Sequence, residues 1–152
     1  MNAKKSTLQI AVEMTARQRD GARHALQDAR ASAAAAEEQM EQLQVYARET
    51  ESRWGMRSGA HVMPEVLFHH RHFMGRLEHA MEMQTKVLED HARRVADGES
   101  TLLAAELRLA TLKKLVAKRQ REWALAEQRH EQKQTDERAQ LALQLRLNVH
   151  QA

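Results

Sequence analysis

The sequence predicts an all-α protein, an antiparallel two-helix coiled-coil hairpin with an overhanging C-terminal helix. Three observations predict it. Apolar residues recur at alternating three- and four-residue steps along two long segments; the densest cluster of glycine and proline separates those segments; and the second segment outruns the first. A stripe with that period lies along one side of a helix, and a narrow stripe is the seam of a coiled coil.

The first helix is predicted over 7–54, after a short N-terminal end. Ser6 or Thr7 is placed to cap it. Its seam runs Leu8, Val12, Thr15, Arg19, Ala22, Leu26, Ala29, Ala33, Ala36, Met40, Leu43, Ala47, Thr50, Trp54. Ala29–Ala36 is rich in alanine, which favours helix and lets two helices approach closely. The connection is predicted over 55–63, where Gly55 and Gly59 precede Pro64, the single proline.

The second helix is predicted over 64–138. Pro64 suits its first turn, where a missing N–H costs nothing, and Glu65 suits the positive end of the helix dipole. Its seam runs Leu67, His70, Met74, Leu77, Met81, Gln84, Leu88, His91, Val95, Gly98, Leu102, Ala105, Leu109, Leu112, Val116, Arg119, Trp123, Ala126. A short connection makes the helices antiparallel neighbours. If 54 meets 65, Leu8 lies level with about 111 and residues beyond Leu112 lack an intrachain partner. At about 1.5 Å per residue, the paired shaft is about 70 Å long and the overhang adds about 35–40 Å. An exposed stripe carrying Trp123 points to an external protein surface.

Asp97-Gly98 is a turn signal that offers a rival architecture of three shorter helices. Against it, the stripe keeps phase through Val95, Gly98 and Leu102. The tail, 139–152, reads as a frayed end, although Leu141, Leu143, Leu145 and Leu147 alternate with a strand-like period.

Composition supports an elongated helical object within one domain of 152 residues. Aromatic residues are 3% and charged residues 30% of the chain, so large side chains are few for a compact globule. The net charge of +3 is too small to imply nucleic-acid binding. With no cysteine, disulfides and thiolate chemistry are excluded. No signal peptide or membrane-spanning run is seen, and a cytoplasmic protein is expected.

No catalytic or cofactor-binding constellation is found, and none is expected. The five glycines are scattered, so no phosphate-cradling loop can form, and acid pairs such as Glu37/Glu38 lie on a solvated face. Glu65, His69 and His72 share one helical face, with His61, His70 and His79 nearby, but the zinc-enzyme HExxH pattern is missing and no metal is expected. Lys113, Lys114, Lys118, Arg119 and Arg121 form a run without an acid, read as a solvated face or a surface for an acidic protein partner.

A second apolar line runs beside the seam. Phe73, Leu77, Ala80 and Gln84 on helix two face Gln39, Leu43, Tyr46 and Thr50 on helix one, with Tyr46 level with Phe73. A two-helix seam needs no such width. The line is read either as a locally wider seam or as an aromatic-anchored docking patch.

At these residues the chain resembles the FliJ family, coiled-coil components of the flagellar type III protein-export apparatus, and more distantly their injectisome counterparts. The likeness is carried by Ala36-Glu37-Glu38-Gln39-Met40 leading to Tyr46, by Phe73 with Leu77, Glu78, Ala80 and Gln84, and by Arg119-Gln120 onward through Glu127, Arg129, Gln132, Lys133, Asp136 and Glu137. The resemblance implies a non-enzymatic cytoplasmic stalk, peripheral at the inner face of the cell membrane. It implies two partners, the hexameric export ATPase (FliI) and the export-gate membrane protein (FlhA), and allows chaperones of late export substrates as further ones. The gate patch carried over is Gln39, Leu43, Tyr46, Phe73, Leu77, Ala80 and Gln84; the ring-facing residues are Val116, Arg119, Trp123 and Ala126. Thr50 and Gln84 depart from an aromatic and a histidine that occur in the family. A generic coiled-coil scaffold and an injectisome stalk remain alternatives.

Overall fold

The computed structural model describes residues 6–57 and 63–151. Two helices account for nearly all of them, α1 (Thr7–Arg57) and α2 (Pro64–His150), packed side by side and antiparallel. No strand occurs among the described residues. Ser6 caps α1 in a reciprocal box. The Gln9 backbone N–H donates to Ser6 Oγ and the Ser6 N–H to Gln9 Oε1, each at 3.2 Å, so two groups at the helix end are satisfied at once. Pro64 occupies the first position of α2.

Every predicted α1 seam residue from Leu8 to Trp54 is buried or half-buried, and so is the α2 stripe from Leu67 to Val116. The deepest side chains are Leu26 and Leu109, each 4% exposed, with Ala36, Leu77 and Ala105. Thr15 is buried in the seam because its hydroxyl donates to the Ala11 carbonyl at 2.7 Å. Arg19, also on the stripe, turns its guanidinium to Asp20 at 2.9 Å while its stem stays half-covered.

The helix runs without a break through Asp97 and Gly98, as the unbroken stripe predicts, so the rival arrangement of three shorter helices does not form. Gly98 is instead a point of close approach, where a Cβ would lie 3.2 Å from Leu26 Cδ1 and 3.6 Å from Leu26 Cα. The segment expected as a tail is helical to His150; Leu, Ala, Gln and Arg dominate it and all are good helix formers. The register is also shifted. Leu26 faces Gly98 and Trp54 stacks on His70, where a 54-to-65 register would give 93 and 65. Gly98, lacking a side chain, lets Leu26 come against α2 at that point, and this close approach goes with the shifted register.

The contacts form two units, Arg17–Glu106, and Met1–Ala16 with Leu107–Ala152. In the first, Arg30 pairs with Glu99 at 3.3 Å and Arg23 with Glu106 at 3.9 Å across the helices. These pairs are exposed and add little stability. In the second, α1 lies against Lys113, Val116, Ala117 and Gln120 through Gln9 and Val12. Val116 is therefore half-covered, which corrects the expectation that pairing ends at Leu112. From Ala117 to Gln151 every residue is exposed.

Candidate partner-binding surfaces

The first surface lies where the apolar face widens. The Tyr46 and Phe73 rings meet edge-to-face, with centroids 5.9 Å apart at 81°, a geometry that places a positive ring edge on a negative ring face. Tyr46 is 51% exposed and Phe73 half-buried, so the pair has a covered base and an open rim. The Thr50 hydroxyl donates to the Tyr46 carbonyl at 2.8 Å.

The other patch residues divide between surface and seam. Gln39 is exposed, and Leu43 and Ala80 are half-buried. Leu77 is 7% exposed and belongs to the core between the helices. Gln84 is half-buried, and its Nε2 donates to the Ala36 carbonyl at 2.8 Å and to Gln39 Oε1 at 3.4 Å. Its amide thus joins α2 to the α1 backbone. A shallow groove of about 460 Å³, lined by Gln39, Gln42, Leu43, Tyr46 and Gln84, opens beside these groups.

On the other side of Tyr46 lies a depression lined by Glu38, Glu41, Gln42, Val45 and Glu49. The aromatic anchor therefore has an acidic flank, which the sequence reading missed. The signal was present. Glu38, Glu41, Val45 and Glu49 follow three- and four-residue steps and so share one helix face.

The second surface is the exposed length of α2. Arg119, Trp123 and Ala126 are exposed, Trp123 at 72%. A groove of about 550 Å³ lies between Ser6, Thr7, Leu8 and Gln9 on one wall and Val116, Arg119, Gln120 and Trp123 on the other. Trp123 thus stands beside the first turn of α1, with most of its ring in solvent. Val116, unlike its three companions, is largely committed to α1. The basic run from Lys113 to Arg121 makes no ion pair among the described residues.

The histidines do not converge. His70 stacks on Trp54 with centroids 4.0 Å apart, and His72 stacks on Phe68 at 6.2 Å. Among the described residues no group of three or more His, Asp or Glu side chains is placed to hold a metal; His61 lies outside them.

The described residues form a two-helix antiparallel coiled coil. The sequence profile of the flagellar FliJ proteins matches residues 4–148. The chain belongs to that family and is a component of flagellar type III protein export. None of the individually curated proteins matches it. Among the described residues no helix is long and apolar enough to cross a membrane.

Proposed function

We propose that the chain is a non-enzymatic, cytoplasmic stalk of the export apparatus. It promotes assembly or activity of the hexameric export ATPase (FliI) and couples it to the membrane export gate (FlhA). The supporting observation is the division of α2 into a length packed on α1 and a length, Ala117 to Gln151, in which every residue is exposed even where the first turns of α1 flank it. An exposed helix can be enclosed by a ring, whereas the packed part cannot shed its partner without losing its seam. The Tyr46–Phe73 pair has an exposed rim that is open to a second partner.

The gate patch is Gln39, Leu43, Tyr46, Phe73, Leu77, Ala80 and Gln84, with Tyr46 and Phe73 as anchors; Leu77 and Gln84 act by holding the helices beneath them. The ring-facing residues are Val116, Arg119, Trp123 and Ala126. Removing residues 121–152 is expected to abolish stimulation of the ATPase while leaving the seam folded. Unchanged turnover with the truncated chain refutes ring insertion. Tyr46→Ala, at an exposed position, is expected to weaken capture of the gate protein in a pull-down; equal capture refutes the patch.

A further inference from the structure

The later part of α2 is split by charge. Between 107 and 121 it carries Arg108, Lys113, Lys114, Lys118, Arg119 and Arg121 and no acid. Between 122 and 137 it carries Glu122, Glu127, Glu131, Asp136 and Glu137 against Arg129 and Lys133. None of these groups forms an ion pair within the described chain. The two halves sit end to end on one helix, so they cannot neutralise each other across their length.

The apolar residues follow the same symmetry. At about 100° per residue, Leu107, Lys114, Leu125, Asp136 and Leu143 fall within a sector of about 40°. Leu107, Leu125 and Leu143 are 61%, 52% and 61% exposed. This sector is on the side of α2 away from Leu112 and Val116, which are half-buried in the seam. Leu107 and Leu143 lie equally far from Leu125 in the chain, and so do Lys114 and Asp136.

We infer that this face pairs with a second copy of the same chain, antiparallel, about a two-fold axis at Leu125. Leu125 then meets Leu125, Leu107 meets Leu143, and Lys114 meets Asp136 twice. Glu122 falls beside Arg129 on the same flank. A parallel pair would set like charges against each other. An unrelated partner would need to match only one sign. A face that is its own complement after reversal is the signature of an isologous contact. With few apolar contacts and charge pairs on either side of its centre, the contact is weak and salt-sensitive. It also occupies the exposed length of α2, so this length must leave its twin before any other assembly can enclose it. The inference stands on the charge and leucine pattern and does not rest on the proposed role.

The chain has no cysteine, which gives a direct test. Under mild oxidation Leu125→Cys should form a disulfide-linked dimer in the full-length chain. Leu107→Cys and Leu143→Cys should not do so alone, but should cross-link when mixed. In sedimentation equilibrium at low salt the unmodified chain should approach twice its 17.5 kDa mass and fall toward one copy as salt rises. Lys114→Glu and Asp136→Lys should each raise the dimer dissociation constant about tenfold, and the two together in one chain should restore it. These positions are exposed, so folding is not at stake; circular dichroism confirms it. A monomer at all salt concentrations, cross-linking of Leu107→Cys by itself, or failure of the double reversal to restore pairing overturns the inference.

Discussion

Gly21, Gly75 and Gly98 all lie inside helices, yet the same substitution should act differently at Gly98. Gly21 and Gly75 are exposed, and a Cβ at either would meet nothing within 4 Å. Alanine there removes the backbone-entropy penalty of glycine without touching a neighbour. Each change should stabilise by about 1 kcal/mol, or raise Tm by about 2–4 °C. Gly98→Ala has the same helical gain, but its Cβ meets Leu26 Cδ1 at 3.2 Å and Leu26 Cα at 3.6 Å. Leu26 is 4% exposed, so its displaced methyl must press on packed neighbours. Overpacking costs about 1–3 kcal/mol, which cancels or exceeds the gain. Thermal melts followed by far-ultraviolet circular dichroism should therefore show Gly98→Ala at or below the parent Tm, with Gly21→Ala and Gly75→Ala above it. In a Leu26→Ala background the clash is gone, and Gly98→Ala should become stabilising. If Gly98→Ala raises Tm as much as Gly21→Ala in the parent chain, Leu26 does not pack on Gly98 and the register described above is wrong.

Leu109→Ala should cost about 2–5 kcal/mol, since it empties one of the two most deeply buried sites; chemical denaturation measures it. Gln84→Ala should cost about 1 kcal/mol through its lost bond to the Ala36 carbonyl, and Gln84→Glu should cost more because a carboxylate cannot donate to that oxygen. Ser6→Ala should cost about 0.5–2 kcal/mol by opening the capping box, with faster amide exchange confined to the first turn of α1. Arg30→Ala should change stability by less than about 0.5 kcal/mol despite its pair with Glu99, because both side chains are more than half exposed. A larger loss would show that the pair belongs to a tighter network.

Phase was legible in the sequence and register was not, for a physical reason. The three- and four-residue steps say which side of each helix is apolar, and a side is a local property of 3.6 residues per turn. So Leu8 to Trp54 and Leu67 to Val116 line the seam as the pattern predicts, including the polar members Thr15, Arg19 and Gln84. Which residue of α1 meets which residue of α2 depends on where the chain reverses. Leu26 meets Gly98 and not 93, because the missing side chain at Gly98 admits Leu26 there. Tyr46 is nonetheless level with Phe73 as the sequence predicts, and the two long rings meet edge-to-face. The same distinction governs the candidate sites. That the apolar face widens near Tyr46 is a matter of phase and was read correctly. That Leu77 is core and that the Gln84 amide ties α2 to the Ala36 carbonyl are matters of register and depth. Gly98 is where the two meet. It was read as a seam residue by phase and as a possible turn by chemistry. It proved to be the point where a missing side chain lets Leu26 come close, and a close approach of that kind fixes register in a seam made largely of interchangeable alanines and leucines.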